Sequence, residues 1–153
     1  GEDIAEYNGT TNFTDVKAPT ATEDGSWFAP YVEWAAENGI TTGVTPTTFE
    51  PNKSVSRQDA ATLIYRYLVD YEKVTLPADK AMINFTDADK IGSWATDAVE
   101  ALVKAGIING IEKDDGSFEF QPTGTTLREQ AAAMLDRMIS ALPEDNSNEN
   151  TEA

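Results

Sequence analysis

The chain has 153 residues, 40% of them hydrophobic, and 27 acidic against 11 basic side chains give it a net charge of −16. That balance excludes nucleic acid and anionic lipid as bulk partners, because phosphate binding needs a basic footprint. With no Cys and no His, disulfides, thiolate metal sites and the usual general base are excluded, so no metal, cofactor or independent enzyme activity is expected.

Residues 1–12 are polar and rich in Gly, Thr and Asn, and read as a frayed lead-in. No basic-then-apolar leader opens the chain at Gly1-Glu2-Asp3. A first helix is predicted from about Trp27 to Asn38, with Trp27, Tyr31, Trp34 and Ala35 at helical spacing and Asn38-Gly39 as its stop. A connector broken by Gly43, Pro46 and Pro51 follows. A second helix is predicted from Ser56 to about Tyr71, opened by a capping box, Ser56-Arg-Gln-Asp59. Residues 72–84, with Pro77, read as a linker. A third helix is expected from about Trp94 to Ala105 and a fourth from about Leu127 to Leu142, stopped by Pro143. The tail 143–153 lacks apolar anchors and is expected to be disordered. No strand is expected, and no apolar run reaches the ~18 residues a membrane span needs.

The second half rewrites the first. Phe13-Thr-Asp15, Trp27, Gly39-Ile40, Gly43, Phe49-Glu-Pro51, Arg57 and Arg66 are matched by Phe85-Thr-Asp87, Trp94, Gly106-Ile107, Gly110, Phe120-Gln-Pro122, Arg128 and Arg137. Trp to Gly-Ile is 12 residues in both copies, Pro to Arg is 6, and Arg to Arg is 9. Such self-similarity marks a repeat architecture. The organisation expected is a lead-in at 1–12, copy one at 13–71, a linker at 72–84, copy two at 85–142 and a tail at 143–153. The fold class expected is all-α, as tandem helix–loop–helix repeats.

Arg57 and Arg128 both fall at a helix start, where the helix dipole disfavours a cation by roughly 0.3–1 kcal/mol. Each therefore asks for an anion. A local acid is one answer, Asp59 in copy one and Glu129 in copy two. A ligand carboxylate, held bidentate and backed by free N–H groups of the helix end, is the other. Arg66 and Arg137 read as partners of acids or as covers for apolar surface. Trp27 and Trp94 read either as core or as faces for a sugar ring. Asp15 and Asp87 read as Asx-turn residues or as ligand contacts. Gly43 and Gly110 read as positions of positive φ that also leave room for a sugar. The segment Asp87-Ala-Asp89-Lys-Ile91-Gly92 lacks the later ligands of a calcium loop.

The ordered set of marks resembles the S-layer homology repeat. In that family Phe-x-Asp-Val precedes a helix opening at Trp; Gly-Ile, a second Gly and Phe-x-Pro follow, and Thr-Arg-Ala-Glu opens a second helix. The resemblance covers residues 13–71 and 85–142. It implies a partial pseudo-trimeric bundle, since such modules come in threes. It also implies a non-catalytic anchor, extracellular in the cell wall or surface layer, that grips an acidic, pyruvylated wall polysaccharide in grooves holding Arg57 and Arg128. Asp15, Asp87, Trp27, Trp94, Gly43 and Gly110 are the further binding candidates. The chain departs from the pattern in having two copies, Gln130 in place of the acid at Asp59, and Leu127 in place of the hydroxyl at Ser56. A substitute capping box runs from Thr126 to Glu129. The rival function is an assembly module, in which the open flank of the helices takes a third repeat or a second copy of the chain.

Overall fold

Four α-helices are the main regular elements among the described residues of the computed structural model, which are 4, 6–20, 22–23 and 25–142; the side chain of Arg128 lies outside the described residues. So does the expected tail from Pro143. The helices are α1 (Ala29–Glu37), α2 (Arg57–Tyr65), α3 (Thr96–Lys104) and α4 (Arg128–Ala141). A π-helical turn, Arg66–Tyr71, continues α2, and a 3-10 turn, Ala88–Lys90, precedes α3.

The chain divides into two compact units, Gly1–Val55 and Ser56–Ala153. The division therefore falls inside copy one and not in the 72–84 linker. The physical reason is burial. The second helix of copy one packs against the first helix of copy two, with Ala61, Ile64 and Leu68 in one cluster with Ala95, Val99, Leu102 and Val103. Short helices of this kind are marginal alone and gain stability from packing an apolar face.

In the N-terminal unit, α1 starts two residues later than expected: Phe28 is its N-cap and Pro30 sits in its first turn, where a missing N–H costs least. Its core is Phe13, Val16, Ala29 and Val32, flanked by Phe28, Ala36 and Phe49. The expected frayed lead-in is corrected near Gly9. The buried Glu33 carboxylate accepts from the backbone N–H of Gly9 at 2.5 Å and of Thr10 at 3.1 Å, pinning that segment to α1.

The C-terminal unit holds the larger core, centred on the fully buried Leu68, Val99, Leu102, Ile108 and Phe120. The purely helical expectation is corrected here. Strands β1 (Ile111–Glu112) and β2 (Phe118–Glu119) form an antiparallel hairpin, with Ile111 opposite Glu119 and Glu112 opposite Phe118. Two-residue strands are too short to leave an alternating pattern in the sequence. The Asp114–Ser117 insertion of copy two turns this hairpin, with Gly116 at φ +78°. Copy one, without it, makes only an isolated bridge between Thr45 and Thr48.

Candidate functional site

Each copy uses its Phe-Thr-Asp aspartate in the same way. Asp15 accepts from the backbone N–H of Phe49 at 2.9 Å and of Glu50 at 2.7 Å. Asp87 accepts from those of Phe120 and Gln121, both at 2.8 Å. Neither is a local Asx turn; each clamps the Phe-x-Pro loop more than thirty residues on. The Phe49 N–H above all holds the exposed Asp15 carboxyl below its usual pKa of 3.8; desolvation opposes it, and the Glu50 N–H adds a lesser pull downward. The clamp also seats an aromatic pair in each unit: Phe13 on Phe49 and Phe85 on Phe120, both at 5.6 Å.

Arg57 is 3% exposed. Its Nε donates to the Phe120 carbonyl at 2.7 Å, one terminal nitrogen to the Asn109 carbonyl at 3.1 Å, and the other to Gln130 Oε1 at 3.2 Å. The guanidinium lies over the Phe120 ring, 5.3 Å from its centroid. Burial pulls its pKa below the usual arginine value, and the charge of Asp87 opposes that pull. The rest of the α2 start is equally occupied. Arg57 N–H donates to Gly124 O, Gln58 N–H to Pro122 O and Asp59 N–H to Ser56 Oγ. The expectation of free N–H groups awaiting an anion is corrected at α2: the 120–124 loop of copy two already supplies the acceptors. Ser56 caps α2 as expected, its Oγ accepting from Asp59 N–H, while its hydroxyl donates to the Asp59 carboxylate at 2.5 Å in place of the reciprocal half of the box.

At α4 the picture differs. Its N-cap is Leu127, whose side chain has no acceptor, and Gln130 Oε1 accepts from Leu127 N–H at 3.3 Å. The proposed box from Thr126 to Glu129 does not form among the described residues, where the buried Thr126 hydroxyl oxygen meets no partner. Among the described residues nothing accepts from the N–H groups of Glu129 and Gln130. Arg137, expected to meet an acid or cover apolar surface, donates to the Ile107 carbonyl at 3.3 Å.

Both candidate tryptophans are exposed, which removes the core reading. Trp27 is 82% exposed and packs edge-on against Phe28 and Tyr31. Trp94 is 55% exposed. Its indole crosses Gly92, where an added Cβ would lie 2.5 Å from Nε1. The Gly92 N–H in turn donates to Gln58 Oε1 at 2.9 Å. Arg57, Asp87 and the loop leading into Trp94 therefore meet around the α2 start. Gly43 has the expected positive φ, +73°. Gly110 does not, and is small because the Phe85 ring fills the space a Cβ would take, 2.6 Å away. The carbonyls of Phe120 and Asn109, which hold Arg57 together with Gln130 Oε1, leave no trace in side-chain identity, so sequence reading missed them.

The S-layer homology domain matches residues 21–61 and 84–132. The chain belongs to the S-layer homology family. It is 33% identical to the Surface-layer 125 kDa protein of Lysinibacillus sphaericus over 88% of this chain and 10% of that one. It is 28% identical to the Cellulosome-anchoring protein of Acetivibrio thermocellus over 93% of this chain and 29% of that one. S-layer protein EA1 of Bacillus anthracis is 31% identical over 81% of this chain and 12% of its own length. The chain thus spans less than a third of each of these relatives. S-layer homology domains are non-catalytic modules that bind cell-wall polymers, and relatives of this chain are surface-layer and cell-surface proteins; its place is extracellular, at the cell wall.

Proposed function

We propose that this S-layer homology chain anchors its parent protein by binding an acidic, pyruvyl-bearing secondary wall polysaccharide, and that the contact is made at Trp27 and Trp94. The observation that carries this reading is their exposure. Two indoles at matched positions stand outside their cores, where water contact costs apolar surface and a sugar face would relieve it. The segment before each carries one exposed lysine: Lys17, whose carbonyl accepts from Ser26 N–H beside Trp27, and Lys90, at the end of the 3-10 turn. A cation at that place suits a pyruvyl carboxylate in an otherwise acidic protein. Arg57 has a different role in this reading: it fixes the 120–124 loop and so positions the surroundings of Trp94. Asp15, Asp87, Gly43 and Gly110 serve the same purpose by shaping the loops.

Retention on purified wall polymer tests this. Trp27→Ala with Trp94→Ala lowers retention about tenfold or more, a loss of ~1.4 kcal/mol or above, and leaves the thermal midpoint unchanged. Polymer stripped of pyruvyl groups is retained less by the wild type. Full retention of the double variant refutes the tryptophan contact, and equal retention of stripped polymer refutes the acidic specificity.

A further inference from the structure

The sequence holds three Asn-Gly bonds, at Asn8-Gly9, Asn38-Gly39 and Asn109-Gly110. An asparagine side chain is most open to attack by its own backbone when glycine follows, because no Cβ shields the next nitrogen. Two of the three are tied down. The Gly9 N–H donates to the buried Glu33 carboxylate at 2.5 Å, and Asn8 Oδ1 accepts from Thr10 N–H at 3.0 Å. The Gly39 N–H donates to the Ala36 carbonyl at 3.1 Å, and Asn38 Nδ2 to that of Trp34 at 2.9 Å. Asn109 differs on each point. It is exposed and lies between the buried Ile108 and β1, outside any helix or strand. Among the described residues neither its side chain nor the Gly110 N–H has a hydrogen-bond partner. Glycine is imposed at 110, since the Phe85 ring takes the place of a Cβ.

The carbonyl oxygen of this same peptide bond, Asn109 O, accepts from the Arg57 guanidinium at 3.1 Å. Deprotonating the Gly110 nitrogen puts negative charge on that oxygen, and a buried cation bonded to it stabilises the charge. The Glu33 carboxylate does the reverse at Gly9. We propose that Asn109-Gly110 is a self-modifying site, at which Arg57 activates the Gly110 nitrogen for attack on the Asn109 side-chain amide. Hydroxide takes the Gly110 proton, the nitrogen bonds to Asn109 Cγ, and the Cγ–Nδ2 bond breaks. Nδ2 leaves as ammonia with a proton from water, which returns the hydroxide and leaves a five-membered imide. Water then opens the imide. Attack at Cγ gives aspartate; attack at the α-carbonyl carbon gives isoaspartate. In isoaspartate the chain runs through Cγ, and the carbonyl that Arg57 holds becomes a free carboxylate. Arg57, which makes no ion pair among the described residues, thereby exchanges a neutral acceptor for a charged one. The inference is independent of the polysaccharide reading.

Ageing the intact chain at mildly alkaline pH, then mapping its peptides by mass spectrometry, tests it; an isoaspartyl methyltransferase assay on the same peptides counts the isoaspartate. Asn109 converts about tenfold or more faster than Asn8 and Asn38, and the three rates converge when the chain is unfolded in urea. A folded chain in which Asn109 converts no faster than the other two overturns the proposal. So does a ranking that persists in urea, which would belong to the neighbouring residues and not to the fold. Arg57→Gln, folded as judged by circular dichroism, slows Asn109 by about tenfold; an unchanged rate overturns the role of Arg57. Where that variant does not fold, amide hydrogen exchange of the wild type decides, because base-catalysed exchange draws on the same acidity. The Gly110 N–H exchanges at or above the rate of an unprotected chain. Protection of Gly110 equal to that of Gly9 and Gly39 overturns the proposal.

Discussion

Helices α2 and α4 descend from one design and sit in opposite circumstances. The first has its apolar face under α3 and its leading N–H groups under loop 120–124. The second has the same positions open. The difference teaches that the sequence repeat and the folded unit are out of phase. A copy's first helix and loop complete the helix of the copy before it, and Arg57 is the pin of that junction. A cation at a helix start looked misplaced in sequence. In the fold it is surrounded by carbonyl oxygens, an aromatic face and the Asp87 charge, which together outweigh an unfavourable dipole of about 1 kcal/mol or less.

The largest effect expected from this comparison is on matched core positions. Leu68→Ala destabilises the protein by about 3 kcal/mol, as a buried large-to-small change does. Ile139→Ala, its counterpart, stays within about 0.5 kcal/mol in dilute solution. Urea titration of both variants measures this. Equal losses would mean that α4 is as well covered as α2 and would end the comparison.

A smaller effect tests the Asp15 clamp by pH. The Asp15 carboxyl is held below 3.8 by the Phe49 and Glu50 N–H groups. Its folded pKa is depressed, so its contribution is complete above the unfolded value and is lost as pH falls through the folded one. The amide shifts of Phe49 and Glu50 should move together with a midpoint below 3.8, and Asp15→Asn should abolish that step. A midpoint at or above 3.8 would mean the clamp is not held by these bonds.

How much of this was legible beforehand follows from range. The four helices were readable because apolar spacing and caps are local: Ser56 with Asp59 marked the start of α2, and Asn38-Gly39 the end of α1. The aspartates were singled out, but their partners were not. The bonds of Asp87 run to backbone N–H groups of Phe120 and Gln121, which every non-proline residue possesses. The same holds for Arg57, whose acceptors at Asn109 and Phe120 are carbonyls. Exposure of Trp27 and Trp94 was unreadable for a related reason. A tryptophan one turn before an apolar stripe reads as core until the helix is seen to begin after it, at Ala29 and Thr96. The unit boundary at Val55 was hidden because a repeat in sequence records duplication and not packing.

Amide hydrogen exchange at the two helix starts tests the central claim most directly. In dilute solution the N–H groups of Arg57, Gln58 and Asp59 should exchange slowly, as donors in a closed junction. Those of Glu129 and Gln130 should exchange near the rate of an unprotected chain. Comparable protection at both starts, or rapid exchange at Arg57 and Gln58, would contradict the account.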